Sequence, residues 1–293
     1  MLLAACGGAA RSDDDPTIST SAAPGSEGGS SGESSSSTAP APDPDDDSGP
    51  SPPADTSSSS GVADGGIKLD VGANDEATGQ PGGDCSDVII ARVRDLDGSF
   101  ADISMVSDPD NTIAKTGLVD PMLGDDGNPV FASQGVGPQL TTAAPFAQWY
   151  EDVAGVNIGF DIELPLVEQA GVFVYDSNAF FPIDGMGFGN VGPLDHNFYF
   201  TTEIHTSFVY EGGEVFTFAG DDDFWMFIED QLVIDLGGLH GALEDTVALD
   251  DMAPELGLSP GGIYQMAIFH AERAQFDSNF RITTTISCLV PEG

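Results

Sequence analysis

FTFAGDDDFWMFIEDQLVIDLGGLHG, residues 216–241, is the stretch that decides how this chain is read. Its centre, FWMFI from Phe224, is apolar on both alternating sets of side chains, which is what a central strand covered on both faces requires. Trp225 and Phe227 therefore read as core residues. On either side stand EVFTF from Glu214 and QLVID from Gln231, both short and strand-like. Working outward, DVIIARVR, GVFVYD, HNFYFTTEIHTSFVY, IYQMAIFHAE and NFRITTTISC repeat the two-residue period. In the third of these, Phe198, Phe200, Ile204 and Phe208 share one face. PFAQWYEDV, from Pro145, is the one helical pattern, with Phe146, Trp149 and Tyr150 at i, i+3 and i+4. Strands far outnumber helices, and turns such as EGGE and SPGG separate them. The expected fold is all-β, an antiparallel β-sandwich with a few short helices.

Composition divides the chain. It has 293 residues, 49 acidic against 7 basic, for a formal net charge of -42, which argues against a nucleic-acid partner. Residues 7–84 are mostly Ser, Gly, Pro, Ala and Asp, without an aromatic side chain, and are expected to form a long disordered tether. The folded domain is expected over 85–290. Residues 1–6 read as a shortened lipoprotein-signal-like segment, because LAAC resembles the lipobox at which a bacterial lipoprotein is cleaved and acylated, here at Cys6. That assigns the chain to a cell surface or the extracellular space, in contact with a membrane only through the lipid. Cys85 and Cys288 sit at the two ends of the folded part. Cys85 shares the parity of Ile89, Ala91 and Val93, and Cys288 that of Phe280, Ile282, Thr284 and Ile286. The expectation is a disulfide; the alternative is two free buried thiols.

Three successive aspartates, Asp221 to Asp223, lie between two strands, where they have little room to move apart. Two charges 4 Å apart repel by about 4 kcal/mol at an effective dielectric near 20, so the loop must protonate, splay or bind a cation. Carboxylates without cysteine or clustered histidine suit a hard cation, and calcium is the candidate. Adjacent side chains of an extended strand point to opposite faces. A cis peptide between two neighbouring aspartates would remove that obstacle, and Gly220 before the run is expected to permit an unusual turn.

GDDDFWMFIEDQLVIDLGGLHG followed by LGLSPGGIYQMAIFHAERAQFDSNFRI resembles the signature of the fibro-slime domain family, related to the sugar-binding domain first named in the anthrax protective antigen. FAQWYEDVAGVN, FFPIDG and DHNFYFTTEIHTSFVYEGGEVF extend the likeness. The resemblance implies a protective-antigen-type sandwich in which calcium, held by Asp221 and Asp222 across a cis peptide, holds the hydroxyls of an extracellular glycan. Asp223 stands where relatives often carry Gly and is a possible additional ligand, as is Asn279.

The function expected is a surface-displayed, non-catalytic, calcium-dependent carbohydrate-binding or adhesion module. A rival is a structural matrix or slime component making protein contacts. A glycosidase is disfavoured, because its two carboxyl groups must flank a bond at about 5 Å or more, which neighbours on one loop do not do readily. His240 and His270 read as structural, each with a backbone partner. Glu272 and Arg273 read as members of structural ion pairs. GMGFGN, residues 185–190, has the glycines of a phosphate loop but no helix after it.

Overall fold

A computed structural model describes residues 84–104, 111–132, 140, 142–193 and 195–291. Cys6 and the stretch assigned to the tether, apart from Asp84, lie outside the described residues. Strands are β1 (Val88–Leu96), β2 (Val119–Leu123), β3 (Pro129–Phe131), β4 (Asn157–Pro165), β5 (Val167–Gln169), β6 (Val172–Ser177) and β7 (Phe200–Tyr210). They continue with β8 (Val215–Gly220), β9 (Asp223–Ile228), β10 (Gln231–Leu236), β11 (Leu243–Ala248), β12 (Gly262–Glu272), β13 (Phe280–Thr284) and β14 (Leu289–Pro291). Among the described residues two helices, α1 (Ala143–Phe146) and α2 (Leu249–Leu256), complete the set. No helix among the described residues is long and apolar enough to cross a membrane.

All pairings are antiparallel. One sheet runs β3-β2-β10-β9-β12-β7-β1-β4, and the other β11-β8-β13-β6-β5. They close on each other through a core in which Phe216, Phe218, Phe280 and Ile282 of the smaller sheet meet Phe200, Phe224, Met226 and Ile268 of the larger. The Phe218 and Phe224 rings stack across it with centroids 3.6 Å apart. This is the sandwich that the alternation predicted, built from two inner faces.

The larger sheet is covered on its other face as well. Trp225 and Phe227 of β9 and Phe269 of β12 pack there against Phe146, Trp149 and Tyr150. All six residues of β9 are consequently buried, which explains why FWMFI has no polar parity. Between β9 and β10 the chain turns on Glu229 and Asp230, at φ 48 and 63, the pair of positive φ values of a tight hairpin whose twist matches its strands.

Three expectations are corrected by the packing. PFAQWYEDV is not a helix through Tyr150: α1 ends at Phe146. Asn157 Nδ2 donates to the carbonyls of Gln148 and Glu151 at 2.9 and 2.7 Å, and its Oδ1 accepts from Val153 N, so these groups pair with a side chain instead of a longer helix. Phe198 precedes β7 and joins the outer core, on the opposite side from Phe200, Ile204 and Phe208. NFRITTTISC is not one strand, since β13 ends at Thr284 and the chain then crosses to the larger sheet.

That crossing brings the ends of the domain together. β7 pairs with β1 over Phe200–Glu203 and with β14 over Thr206–Phe208, so β1 and β14 lie end to end along one edge of it. Ser86 N donates to Leu289 O at 2.8 Å, and Cys85 and Cys288 form a disulfide across a sequence separation of 203.

Candidate functional site

β8 belongs to the smaller sheet and β9 to the larger, so Asp221 and Asp222 occupy the step between sheets. Two more steps run beside it: β10 to β11 through residues 237–242, and β12 to β13 through residues 273–279. Strand ends cannot satisfy each other's backbone groups where a sheet stops, and here the aspartate carboxylates take that role.

Asp221 is clasped by the β12–β13 connection. Its Oδ1 accepts from Asn279 N at 2.7 Å and its Oδ2 from Asn279 Nδ2 at 2.8 Å. Asp222 bridges two connections, with Oδ2 accepting from Arg273 N at 3.0 Å and Oδ1 from His240 N at 3.4 Å. The peptide bond between the two aspartates is cis, and both residues line one cavity of about 380 Å³. Gly220 does not have the positive φ expected of an unusual turn. Its requirement is steric: a Cβ there would run into the Asn279 carbonyl and the Phe218 ring.

Asp223 is turned elsewhere. It starts β9 on the parity of Trp225 and Phe227, and so faces the outer core. Its Oδ1 accepts from Gly238 N at 2.5 Å, and Arg273 Nε lies 2.6 Å from its Oδ2, both side chains fully buried. Asp223 lies opposite Ala271 in the β9–β12 register, which sets Arg273 diagonally beside it on the same face. Arg273 Nη1 also donates to Asp102 O at 3.0 Å, and the guanidinium sits 5.2 Å from the centre of the Trp149 ring. The structural pair expected of Arg273 is thus with Asp223, whereas Glu272, also expected in an ion pair, meets no cation among the described residues.

Glu272, one residue earlier, points to the other side. It is fully buried, Ala274 N approaches its Oε1 at 3.3 Å, and its Oε2 has no partner among the described residues. Burial pushes its carboxyl well above the usual range, and the charges of Asp222 and Asp221 push the same way. Asp222 is raised to about 7, chiefly by burial, with Asp223 and Asp221 adding to it and Arg273 opposing. Asp221 is raised by burial, against the two bonds from Asn279. Asp221, Asp222 and Glu272 thus lie near one another, while the Arg273 guanidinium is engaged with Asp223.

Both histidines have backbone partners. His270 Nε2 donates to Asp221 O at 2.8 Å, and burial lowers the ring to about 4, so it is neutral at ordinary pH with the proton on Nε2. The His240 ring nitrogens lie 3.0 and 2.9 Å from the carbonyls of Gly241 and Leu236. GMGFGN is held as a structural loop, its Phe188 N donating to Asp95 Oδ2 at 2.5 Å.

Besides the two aspartates, the cavity presents Asn111, Phe276, Asp277 and Asn279. Among the described residues no group of three or more His, Cys, Asp or Glu side chains is arranged to hold a metal ion. Two carboxylates with amide and carbonyl oxygens remain, a donor set that suits a hard cation able to keep several waters. Sequence reasoning missed Asn111 and Phe276, for which no spacing signal exists.

Residues 190–289 match the family described as PA14 domain. Both aspartates, Asn279, β9 and β12 fall inside that segment. Protein psiD of Dictyostelium discoideum is 42% identical over 186 residues, covering 58% of this chain and 36% of that protein. Protein psiC of the same organism is 40% identical over 158 residues, covering 50% and 30%. The chain thus spans about a third of the length of these two curated relatives. A solved structure entitled "PA14 sugar-binding domain from RTX adhesin" aligns with TM-score 0.30 and 12% identity, covering 68% of this chain and 89% of that one.

Proposed function

We propose that this domain is a non-catalytic module that binds extracellular carbohydrate, or mediates adhesion through it, by way of calcium held at Asp221 and Asp222. One observation carries the reading: two adjacent buried carboxylates open onto one cavity, in a cluster with more negative than positive charge. A divalent cation relieves that excess without changing the fold. The PA14 match supports the reading, and so does the resemblance of the quoted blocks to the fibro-slime family.

Asp221 and Asp222 would supply carboxylate oxygens, and Asn279 its amide oxygen, since Nδ2 is committed to Asp221. Bound there, calcium supplies the positive charge to which vicinal sugar hydroxyls are drawn. The chain's own part is to fix those oxygens: Asn279, His240 and Arg273 hold the two carboxylates through backbone and side-chain donors, so no rotamer freedom is lost on binding. Asp223 stays with Arg273 and contributes charge, not a ligand. A lipid on Cys6, followed by the tether expected over 7–84, would display the module at a surface.

Thermal melting with calcium and with chelator tests the metal. The parent is expected to gain stability in calcium, and the Asp221→Ala/Asp222→Ala protein to gain none; equal gains refute the site. Retention on glycan-coated beads, lost on adding chelator, tests the ligand.

A further inference from the structure

We infer that Phe276, with Asp277 beside it, makes this a site for the terminal ring of a neutral glycan and against acidic ones. This rests on the reading just given and adds the recognising residues and the class of sugar.

Phe276 is 68% exposed, the most exposed of the large apolar side chains among the described residues, yet it lines the same cavity as Asp221 and Asp222. A lone exposed apolar residue needs no explanation; one on the rim of a carboxylate-floored cavity does. It stands on the β12–β13 connection, three residues before Asn279, so the segment that clasps Asp221 also carries the ring. A sugar whose hydroxyls point to the aspartate end leaves its apolar C–H face for an aromatic ring to cover. A volume of about 380 Å³ is near the lower limit of small-ligand sites, about 300–1,000 Å³, so one terminal ring enters rather than a chain.

Charge selects among such rings. Asp221, Asp222 and Asp277 line the cavity, and no lysine or arginine among the described residues does. Arg273, the nearest guanidinium, is fully buried and engaged with Asp223 behind the wall. His240 lines it too, but its ring nitrogens face backbone carbonyls. After one divalent ion the lining remains formally negative, so a sugar carboxylate meets repulsion with no cation to receive it.

The test uses the full chain in millimolar calcium, on beads coated with mannose, galactose or glucose, and on beads coated with glucuronic acid or N-acetylneuraminic acid. Melting with and without calcium is run for every variant. The parent should bind at least one neutral coating, and the acidic coatings at least about fivefold more weakly. Phe276→Ala should bind the neutral coating about tenfold more weakly while keeping its calcium-dependent melting shift, and Phe276→Tyr should restore binding. Asp277→Asn should narrow the gap between neutral and acidic coatings. Parental affinity in Phe276→Ala, or acidic coatings bound as tightly as neutral ones, overturns the inference and leaves the calcium site standing. A parent without a calcium shift, or with a shift but no retention on any coating, overturns it together with the metal or the glycan reading on which it rests.

Discussion

Replacing Asp222 by Asn tests the electrostatics of the site through the difference between two pH curves. In the folded domain Asp222 titrates near 7, against an ordinary 3.8, because it is buried among other carboxylates. The folded state therefore holds a proton that the unfolded chain has already released. A carboxylate raised in this way contributes most below its unfolded pKa, and that contribution is lost as pH rises toward 7. About three pKa units at about 1.4 kcal/mol each give a loss of about 4 kcal/mol between pH 4 and pH 7. Asn cannot ionise and does not suffer it. In chelator, the stability of Asp222→Asn relative to the parent should thus rise by up to about 4 kcal/mol over that range. For a domain of this size that is about 8 to 16 °C in Tm. The loss of one of the bonds from Arg273 N and His240 N offsets the curves by a constant, and His270 is common to both proteins and cancels. On the proposed calcium site, calcium should narrow that difference at pH 7.5. At a hundred times its Kd it would stabilise the parent by about 2.7 kcal/mol, with little gain expected for Asp222→Asn. Differential scanning calorimetry from pH 4.5 to 7.5, with calcium and with chelator, measures both effects. Parallel curves in chelator refute the burial argument, and equal calcium gains refute the metal argument.

Further outcomes are expected elsewhere in the molecule. Arg273→Met leaves Asp223 buried without its cation and should cost about 3–5 kcal/mol in urea unfolding, with Asp223→Asn recovering part of it in the double variant. His270 is held near 4, below its ordinary 6.5, so the folded state resists a proton that the unfolded chain accepts. The domain should lose about 3 kcal/mol from this group as pH falls from 6.5 to 4, and His270→Gln should flatten that acid limb in a pH series of melts. Removing the bridge with Cys85→Ser/Cys288→Ser should cost about 5 kcal/mol for so long a closed loop, read from the shift in the denaturation midpoint.

Much of the fold was legible because burial is written in parity. FWMFI lacks a polar set since both of its faces are covered, and that one run carries the two-core arrangement. Asp223, expected as a possible additional ligand, instead shares the parity of Trp225 and Phe227 and pairs with Arg273 on the outer face. What escaped was structure set by partners distant in sequence. The edge strand β11, LEDTVA, has three consecutive exposed polar residues and reads as loop; it is ordered by pairing with β8 along its length. α2 carries Pro254 within it, yet Leu249 and Leu256 bury and Gly257, at φ 71, ends it. At the site, local pattern singled out the run Asp221 to Asp223, and the family resemblance singled out Asp221 and Asp222 within it. Its wall did not, because Asn111, His240 and Phe276 come from three connections, β1–β2, β10–β11 and β12–β13, that lie far apart in sequence.

The bridge at the edge of β7 has a mechanical consequence. Tension entering the domain before Cys85 and leaving after Cys288 passes through a single covalent link. The strands folded between those two points then carry almost no load, and a cavity at their crossings keeps its shape while the chain is pulled. Under reducing conditions the same pull would run through β1 and β14, and peel them from β7.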